Sequence, residues 1–146
     1  MARVRSCDIP EELYYLIDKH VWVRPEGDTV VVGLTDVAQN LARTVISVSL
    51  KGTGKPIRKG RSLATVESGK WVGPVPSPVD GEIVETNQAL VADPSTINRD
   101  PYGAGWVARI RTADWASASV ELATGPEGVQ RYAEYLESEG ISCGEP

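Results

Sequence analysis

The sequence is poor in the residues that build most catalytic and metal sites. Its 146 residues include no phenylalanine, one histidine, two cysteines and one methionine. The cysteines do not have the CxxC spacing of a structural zinc site, and the chain contains no glycine-rich nucleotide-binding loop. The only histidine, His20, has no evident serine or cysteine partner in the sequence. We therefore expect His20 to lie at the edge of a strand and not to act as a catalytic base.

Long apolar runs are missing as well. No stretch approaches the roughly 20 apolar residues that cross a bilayer. Residues 1–10 also contain no apolar run of the kind found in signal peptides. These two features lead us to expect a cytoplasmic protein with no membrane partner.

Acidic residues outnumber basic ones by 20 to 15, which gives a formal net charge of -5. Such a balance repels the phosphates of nucleic acids, so we expect no nucleic-acid partner. The apolar share of 41% suffices for a modest core of Val, Ile, Leu and Trp. The length fits a single domain spanning residues 1–146, with a core at about 13–111 and a C-terminal helical part at about 115–140.

The two cysteines, Cys7 and Cys143, lie near opposite ends of the chain. Disulfides rarely persist in a reducing compartment, so we expect two free thiols in mobile terminal segments. A redox pair that joins the two ends is the alternative.

Short β-branched segments separated by glycine and proline turns indicate a mainly β protein. Residues 13–24 fit either a helical stripe or two short strands, and their Tyr, Trp and Val content favours the strands. The predicted strands lie at 13–15, 21–23, 29–34, 44–50, 62–67, 71–75, 81–87 and 105–111. Thr35 is a good N-cap for a short internal helix that reaches about Ala42, with Val37 and Leu41 on one face. A C-terminal helix begins near Pro126 and ends at Gly140.

One predicted hairpin presents a lysine in an unusual place. A strand ends at Glu67, another begins at Trp71, and Gly69 is expected to supply the positive φ of a two-residue turn between them. Lys70 would then project from the tip, where a modifying enzyme can reach it without unfolding the chain. Most exposed turn lysines only keep a protein soluble. Lys70 nevertheless suits the attachment of a swinging group, since no other strong chemistry competes with it in this sequence.

Several motifs, in a fixed order, resemble those of the H protein of the glycine cleavage system and its relatives. The resemblance covers about residues 13–111. The motifs are His20-Val21-Trp22-Val23, Val32-Gly33-Leu34-Thr35-Asp36-Val37-Ala38-Gln39, Val66-Glu67-Ser68-Gly69-Lys70, Ser77-Pro78-Val79-Asp80-Gly81-Glu82-Ile83-Val84-Glu85-Thr86-Asn87, Asn98, Asp100-Pro101-Tyr102-Gly103 and Gly105-Trp106.

The resemblance implies a flattened barrel-sandwich hybrid of the lipoyl/biotinyl-carrier type. It also implies a carrier and not an enzyme, with lipoate attached to Lys70 through an amide bond. Glu67 would help the lipoylating enzyme, such as a lipoate–protein ligase, to recognise the hairpin. Biotin carriers place methionines around the modified lysine, whereas Gly69 and Trp71 flank Lys70 here, so biotinylation is not expected.

Three residues depart from the usual H-protein pattern. Gly69 replaces a valine, Trp71 replaces a small residue, and Val37 stands where some H proteins carry a histidine or an aromatic residue. Trp71 either offers a flat surface to a partner or to the arm, or folds inward over the sheet. The hairpin is more similar to an H-like branch that carries sulfur to a heterodisulfide-reductase-like complex. We therefore favour sulfur as the cargo.

Two alternatives remain open at this point. The first alternative is a carrier of the aminomethyl group for the glycine cleavage enzymes. The second is an unmodified scaffold that only binds partners.

Overall fold

The computed structural model describes residues 2–144, so the predicted domain bounds at 1 and 146 lie outside the described residues. The first six strands are β1 (Arg3–Val4), β2 (Cys7–Asp8), β3 (Tyr14–Leu16), β4 (Val21–Glu26), β5 (Thr29–Leu34) and β6 (Val45–Leu50). The other six are β7 (Pro56–Ile57), β8 (Ser62–Ser68), β9 (Val72–Pro76), β10 (Gly81–Thr86), β11 (Ala108–Arg111) and β12 (Ala123–Thr124). The helices are α1 (Asp36–Ala42), α2 (Ala89–Ala92), α3 (Thr96–Arg99), α4 (Trp115–Ser119) and α5 (Gly125–Glu139), with a 3₁₀ turn at Ile17–Lys19.

The strands form two main antiparallel sheets, which confirms the prediction of a mainly β fold. The larger sheet has the order β12-β3-β4-β5-β11-β10-β7, and the smaller has the order β6-β8-β9. A third, two-stranded sheet pairs β1 with β2 near the N-terminus. In the smaller sheet β9 is an edge strand, and it contains two prolines, Pro74 and Pro76.

The central strands of the larger sheet are apolar on both faces because both faces are covered. Val30 and Val32 of β5 lie in a core shared with Val66 and Val75 of the smaller sheet. Val31, on the opposite face, lies in a second core with residues of α5 and of the N-terminal segment. The near-continuous β-branched run at 29–34 therefore reflects a strand buried on two sides.

A tryptophan in β4 fixes the long loop that follows β10. Trp22 is fully buried and pairs with Gly33, and its indole lies so close that a Cβ at Gly33 would fall 2.6 Å from the ring. The indole Nε1 donates a hydrogen bond of 2.9 Å to the carbonyl of Pro101. Gly33 is required here by this close approach, and the loop is thereby tied to the sheet.

Helix α1 begins and ends where the sequence predicts. The hydroxyl of Thr35 accepts a hydrogen bond from the backbone N–H of Ala38, as an N-cap does. Val37 is fully buried, while Leu41 on the same side is 51% exposed. Arg43 at the C-cap has φ 69° and ψ -159°, a conformation that is nearly restricted to glycine.

The C-terminal helix α5 is capped by Gly140, whose φ is 67°, and packs Val129, Tyr132 and Leu136 into the second core. Both ends of this helix lie where the sequence predicts them. Strand β12 and helix α4 were not predicted as separate elements, although α4 falls within the predicted helical part.

The prediction of two free thiols in mobile segments is wrong. Cys7 and Cys143 form a disulfide, and both residues are buried. The hairpin of β1 and β2 and the chain after Gly140 both pack against the start of α1. The backbone N–H of Cys143 donates to the carbonyl of Arg5 at 3.0 Å, and that of Asp8 donates to the carboxylate of Asp36 at 2.9 Å. The packing of the two ends on one helix brings the sulfurs together, as in the alternative interpretation.

Candidate functional site

The candidate lysine lies in the connection between β8 and β9. Glu67 pairs with Val72 across the hairpin, and the backbone N–H of Ser68 donates to the carbonyl of Trp71 at 2.7 Å. Residues 69–71 form the loop, and Lys70 at its centre is exposed. The backbone N–H of Lys70 donates to the hydroxyl of Ser68 at 3.3 Å. The lysine thus projects from a loop whose two ends are fixed by hydrogen bonds.

The predicted role of Gly69 is wrong. Its φ is not positive, and the loop has three residues instead of two. A Cβ added at Gly69 would meet no atom within 4 Å. A larger residue therefore fits this position, and the turn does not depend on glycine.

The neighbouring strand β6 is held in place by an asparagine of the long loop. Val45 of β6 pairs with Ser68, and its backbone N–H donates to the side-chain oxygen of Asn98 at 2.9 Å. The amide nitrogen of Asn98 donates to the carbonyl of Arg43 at 2.7 Å. Asn98 thereby joins the end of α1 to the strand beside the hairpin.

Trp71 is both exposed and folded against the protein, so it combines the two alternatives considered for it. Its side chain is 41% exposed. The ring lies over Gly73, where an added Cβ would overlap the ring atom Cζ2. Trp71 and Pro74 also form one wall of a cavity of about 190 Å³ between the hairpin and α1.

The cavity beside Trp71 is mainly apolar. Its opposite wall consists of Leu34, Ala38, Leu41 and Ala42, and the polar groups are Lys19 and His20. None of these lining residues is acidic. Val37 is not among them, because it points into the second core. Val37, which departs from the usual H-protein pattern, therefore does not line this cavity, and Leu41 is the exposed residue on α1 beside it.

His20 does not occupy a regular strand position. It has φ 57° and ends the 3₁₀ turn just before β4. Its Nδ1 lies 2.6 Å from the hydroxyl of Tyr132, which lies 3.0 Å from the hydroxyl of Thr35. Burial lowers the pKa of His20 to about 4, and the Asp18 carboxylate acts weakly in the opposite direction. The imidazole is therefore uncharged at neutral pH, and Lys19 is the charged group of the cavity.

Glu67 and Lys70 are both exposed, and within residues 2–144 neither takes part in an ion pair. An approaching enzyme would not have to break a salt bridge to reach either side chain. These two residues were predictable from the sequence, whereas Lys19, Ala38 and Leu41 were not predicted as neighbours of Trp71. The i, i+3 spacing of Ala38 and Leu41 on the predicted helix was the signal that could have found the cavity wall.

The helices of residues 2–144 include none that is both long and apolar enough to span a bilayer.

Comparison with known proteins gives a consistent result. Residues 13–138 match the model of the family described as glycine cleavage H-protein. Glycine cleavage system H protein 2 of Aquifex aeolicus (strain VF5) is 46% identical over 142 residues, which cover 97% of this chain and 88% of that protein. A probable glycine cleavage system H protein 2 of Sulfolobus acidocaldarius is 45% identical over 141 residues, which cover 94% of each chain. The chain belongs to the glycine cleavage H-protein family.

A solved structure shows the same fold. The crystal structure of a glycine cleavage system H protein from Mycobacterium marinum has a TM-score of 0.73 at 35% identity, covering 91% of this chain and 100% of that one. The predicted fold of lipoyl-carrier type is thereby confirmed. H proteins are carriers and not enzymes, and they carry lipoate covalently attached to a lysine. The exposed hairpin lysine fits such a group, whose chemistry is that of the dithiolane ring.

Proposed function

We propose that Lys70 is the lysine that carries lipoate, through an amide bond between the lipoate carboxyl group and Nζ. The observation that supports this proposal is the position of Lys70 at the centre of an exposed loop held by the Ser68–Trp71 hydrogen bond. A bound lipoyl group supplies a ring disulfide that can be reduced and reoxidised. The hairpin keeps the attachment point clear of the sheet, and the tether raises the local concentration of the group at a docked enzyme.

We propose that Glu67 helps a lipoylating enzyme, such as a lipoate–protein ligase, to recognise the hairpin. Glu67 lies on β8, three residues before the lysine; its backbone pairs in register with Val72, and the residue is exposed. A carboxylate at a fixed position beside the loop offers a charged contact without blocking Nζ. Gly69 and Trp71 flank the lysine and define the surface that the enzyme meets.

For the cargo, the first candidate is the aminomethyl group carried between glycine cleavage enzymes. The names of the relatives support this candidate, since both are glycine cleavage system H proteins that match this chain over most of its length. The partners would then be the glycine cleavage enzymes and the lipoylating enzyme. We propose the cytoplasm as the location, which fractionation of the native host would test.

A second candidate is a sulfur intermediate delivered to a heterodisulfide-reductase-like complex. The observation that favours it is the cavity beside Trp71, which is apolar apart from Lys19 and His20 and has no acidic lining residue. An aminomethyl group is cationic when protonated and would find no carboxylate there.

Intact mass of the natively expressed protein tests the attachment site. We expect the mass of one lipoyl group on the wild type, none on Lys70→Arg, and one on the matched control Lys55→Arg, which changes another exposed lysine. A lipoyl group retained in Lys70→Arg would show that the arm is elsewhere. An unmodified wild type, in the presence of lipoate and a lipoylating enzyme, would support the scaffold hypothesis.

The cargo is tested with the lipoylated protein. Efficient turnover with glycine decarboxylase and aminomethyltransferase is the result expected for the first candidate. Two results together would support the sulfur carrier. The glycine cleavage enzymes would not turn the protein over, and the arm would accept sulfur from a donor and transfer it to a heterodisulfide-reductase-like complex.

We also propose that the chain folds as one lipoyl carrier domain. Strand β12, next to the C-terminal helix, pairs with β3 at the edge of the larger sheet, so the predicted core and helical part share one sheet. A single calorimetric transition is expected, and two separated transitions would contradict the proposal.

A further inference from the structure

The connection between β6 and β8, residues 51–61, differs in charge from the rest of the chain. This segment, the basic loop, contains five of the 15 basic residues and no acidic residue, although the chain as a whole has a net charge of -5. Lys59 pairs with Glu121. The other four cations are exposed and form no ion pair within residues 2–144: Lys51, Lys55, Arg58 and Arg61.

Two carboxylates beside the basic loop already have other partners. Asp80 accepts a hydrogen bond of 2.7 Å from the backbone N–H of Lys59. Glu82, whose backbone pairs with Pro56, forms an ion pair with Arg111. The arginines of the larger sheet thus have ion-pair partners, whereas four cations of the basic loop repel one another without such compensation. Their charge is available to another molecule.

Hydrogen bonds to the neighbouring segments fix the backbone of the basic loop. The N–H of Gly54 donates to the carbonyl of Ile83 at 2.7 Å. The N–H of Gly60 donates to the carbonyl of Ser77 at 2.8 Å, and the N–H of Ser77 donates to the carbonyl of Arg61 at 2.7 Å. A partner would therefore have to order only the ends of the side chains, which lowers the entropic cost of binding.

The basic loop lies at the end of the smaller sheet opposite Lys70. Strand β8 begins directly after the loop and ends at the hairpin, and its seven residues span about 20 Å. The exposed residues Thr65 and Glu67 alternate along this strand. Ser49 pairs with Thr65, and both line a shallow surface groove together with Lys51. An enzyme that contacts Glu67 therefore lies over a face that leads to the basic loop.

We propose that the basic loop is a docking surface for an acidic patch on the enzyme that lipoylates Lys70. The contacting residues are Lys51, Lys55, Arg58 and Arg61. The inference rests on the proposed attachment of lipoate to Lys70. A standard interface of about 800 Å² per partner is roughly 30 Å across, so one enzyme can cover the loop and the hairpin together. The loop holds the carrier by its charge and leaves Nζ of Lys70 uncovered.

The test measures lipoylation of the unmodified chain by the lipoate–protein ligase of the native host. The variant Arg58→Gln/Arg61→Gln removes two charges from the basic loop. The matched control Arg3→Gln/Arg131→Gln removes two exposed charges elsewhere, so both variants have the same net charge. Circular dichroism verifies that both are folded, as expected because backbone hydrogen bonds hold the loop.

We expect Arg58→Gln/Arg61→Gln to raise the KM for the carrier roughly fivefold, the effect of losing two exposed ion pairs, with kcat unchanged. The KM of the control should stay near that of the wild type. Adding Lys51→Gln/Lys55→Gln to the loop variant should raise the KM further. The difference between wild type and loop variant should shrink at 1 M salt, where the Debye length is about 3 Å.

Equal KM values for the wild type and Arg58→Gln/Arg61→Gln would overturn the proposal, as would an equal rise in the control or a rise that salt does not reduce. Binding of a short DNA duplex at physiological salt through the same four cations would also overturn it. Failure of the proposed function is distinguishable, because intact mass would then show no lipoyl group on the wild type or a group retained in Lys70→Arg. The affinity of Lys70→Arg for the ligase, measured by calorimetry with the same charge variants, tests the docking surface in that case.

Discussion

The partly buried histidine at position 20 makes the stability of the fold depend on pH. The unfolded chain binds a proton near pH 6.5, whereas burial lowers the pKa of the folded His20 to about 4. Between these values the unfolded state holds more protons, so the free energy of unfolding decreases as the pH falls.

We expect a loss of at most about 2 kcal/mol in the free energy of unfolding between pH 7 and pH 5 from this residue alone. Urea denaturation at the two pH values measures it. The comparison is with His20→Asn, because asparagine accepts the left-handed backbone at this position and does not ionise. Equal pH dependence of the two proteins would mean that His20 is protonated as readily in the folded as in the unfolded chain.

Individual residues were predictable from the sequence when a local rule governs them. Thr35 caps α1 because its hydroxyl accepts from a backbone N–H three residues later, and Gly140 ends α5 in the left-handed conformation. Gly69 was not predictable in the same way. Its glycine suggested a positive φ, but a three-residue loop places it in an ordinary conformation.

At the scale of elements, the junction between α1 and β6 carries strain in its backbone. Arg43 has φ 69° and ψ -159°, and its carbonyl is held by Asn98. Glycine adopts this conformation without a steric penalty. We expect Arg43→Gly to raise the free energy of unfolding by about 1 kcal/mol, measured by urea denaturation.

The control for this prediction is Arg43→Ala, which removes the guanidinium but retains the Cβ. Its stability should stay near that of the wild type, since the backbone penalty is unchanged. A gain in Arg43→Ala equal to that in Arg43→Gly would assign the effect to the charge and not to the backbone.

Long strands were predictable as elements, whereas very short ones were not. Strand β5 occurs at the predicted residues because its first four residues, Thr29 to Val32, are all β-branched and favour a strand. Strands β1, β2, β7 and β12 have only two residues each, so they carry no periodic pattern. Helices α2 and α3, of four residues each, were not predicted either, because the Asp- and Pro-rich composition around them indicates a loop.

At the scale of the whole molecule, the Cys7–Cys143 disulfide joins the N-terminal segment to the C-terminal segment. The bond joins residues 136 apart, so it restricts nearly the whole unfolded chain. We expect the Cys7→Ser/Cys143→Ser variant to lose about 2–5 kcal/mol in the free energy of unfolding. Denaturation with and without a reductant measures this loss, and the reductant should have no effect on the variant. Two titratable thiols in the native wild type would contradict the prediction.

The disulfide was not predictable from the sequence alone, although the pair was considered. A reducing compartment disfavours disulfides, and no local pattern shows that two cysteines 136 residues apart lie side by side. Their proximity depends on tertiary packing, since the N-terminal hairpin and the segment after α5 both lie against α1. The same limit applies to the cavity, because its walls come from a helix and a hairpin that no local pattern brings together.

The prolines of β9 have a consequence for a carrier that must release its partners. An exposed sheet edge can recruit a strand from another chain and so form long-lived aggregates. Pro74 and Pro76 remove two backbone donors from this edge strand, next to the loop that contains Lys70. At the proposed attachment site an enzyme would therefore contact mainly side chains, because pairing of its own strand with β9 is disfavoured.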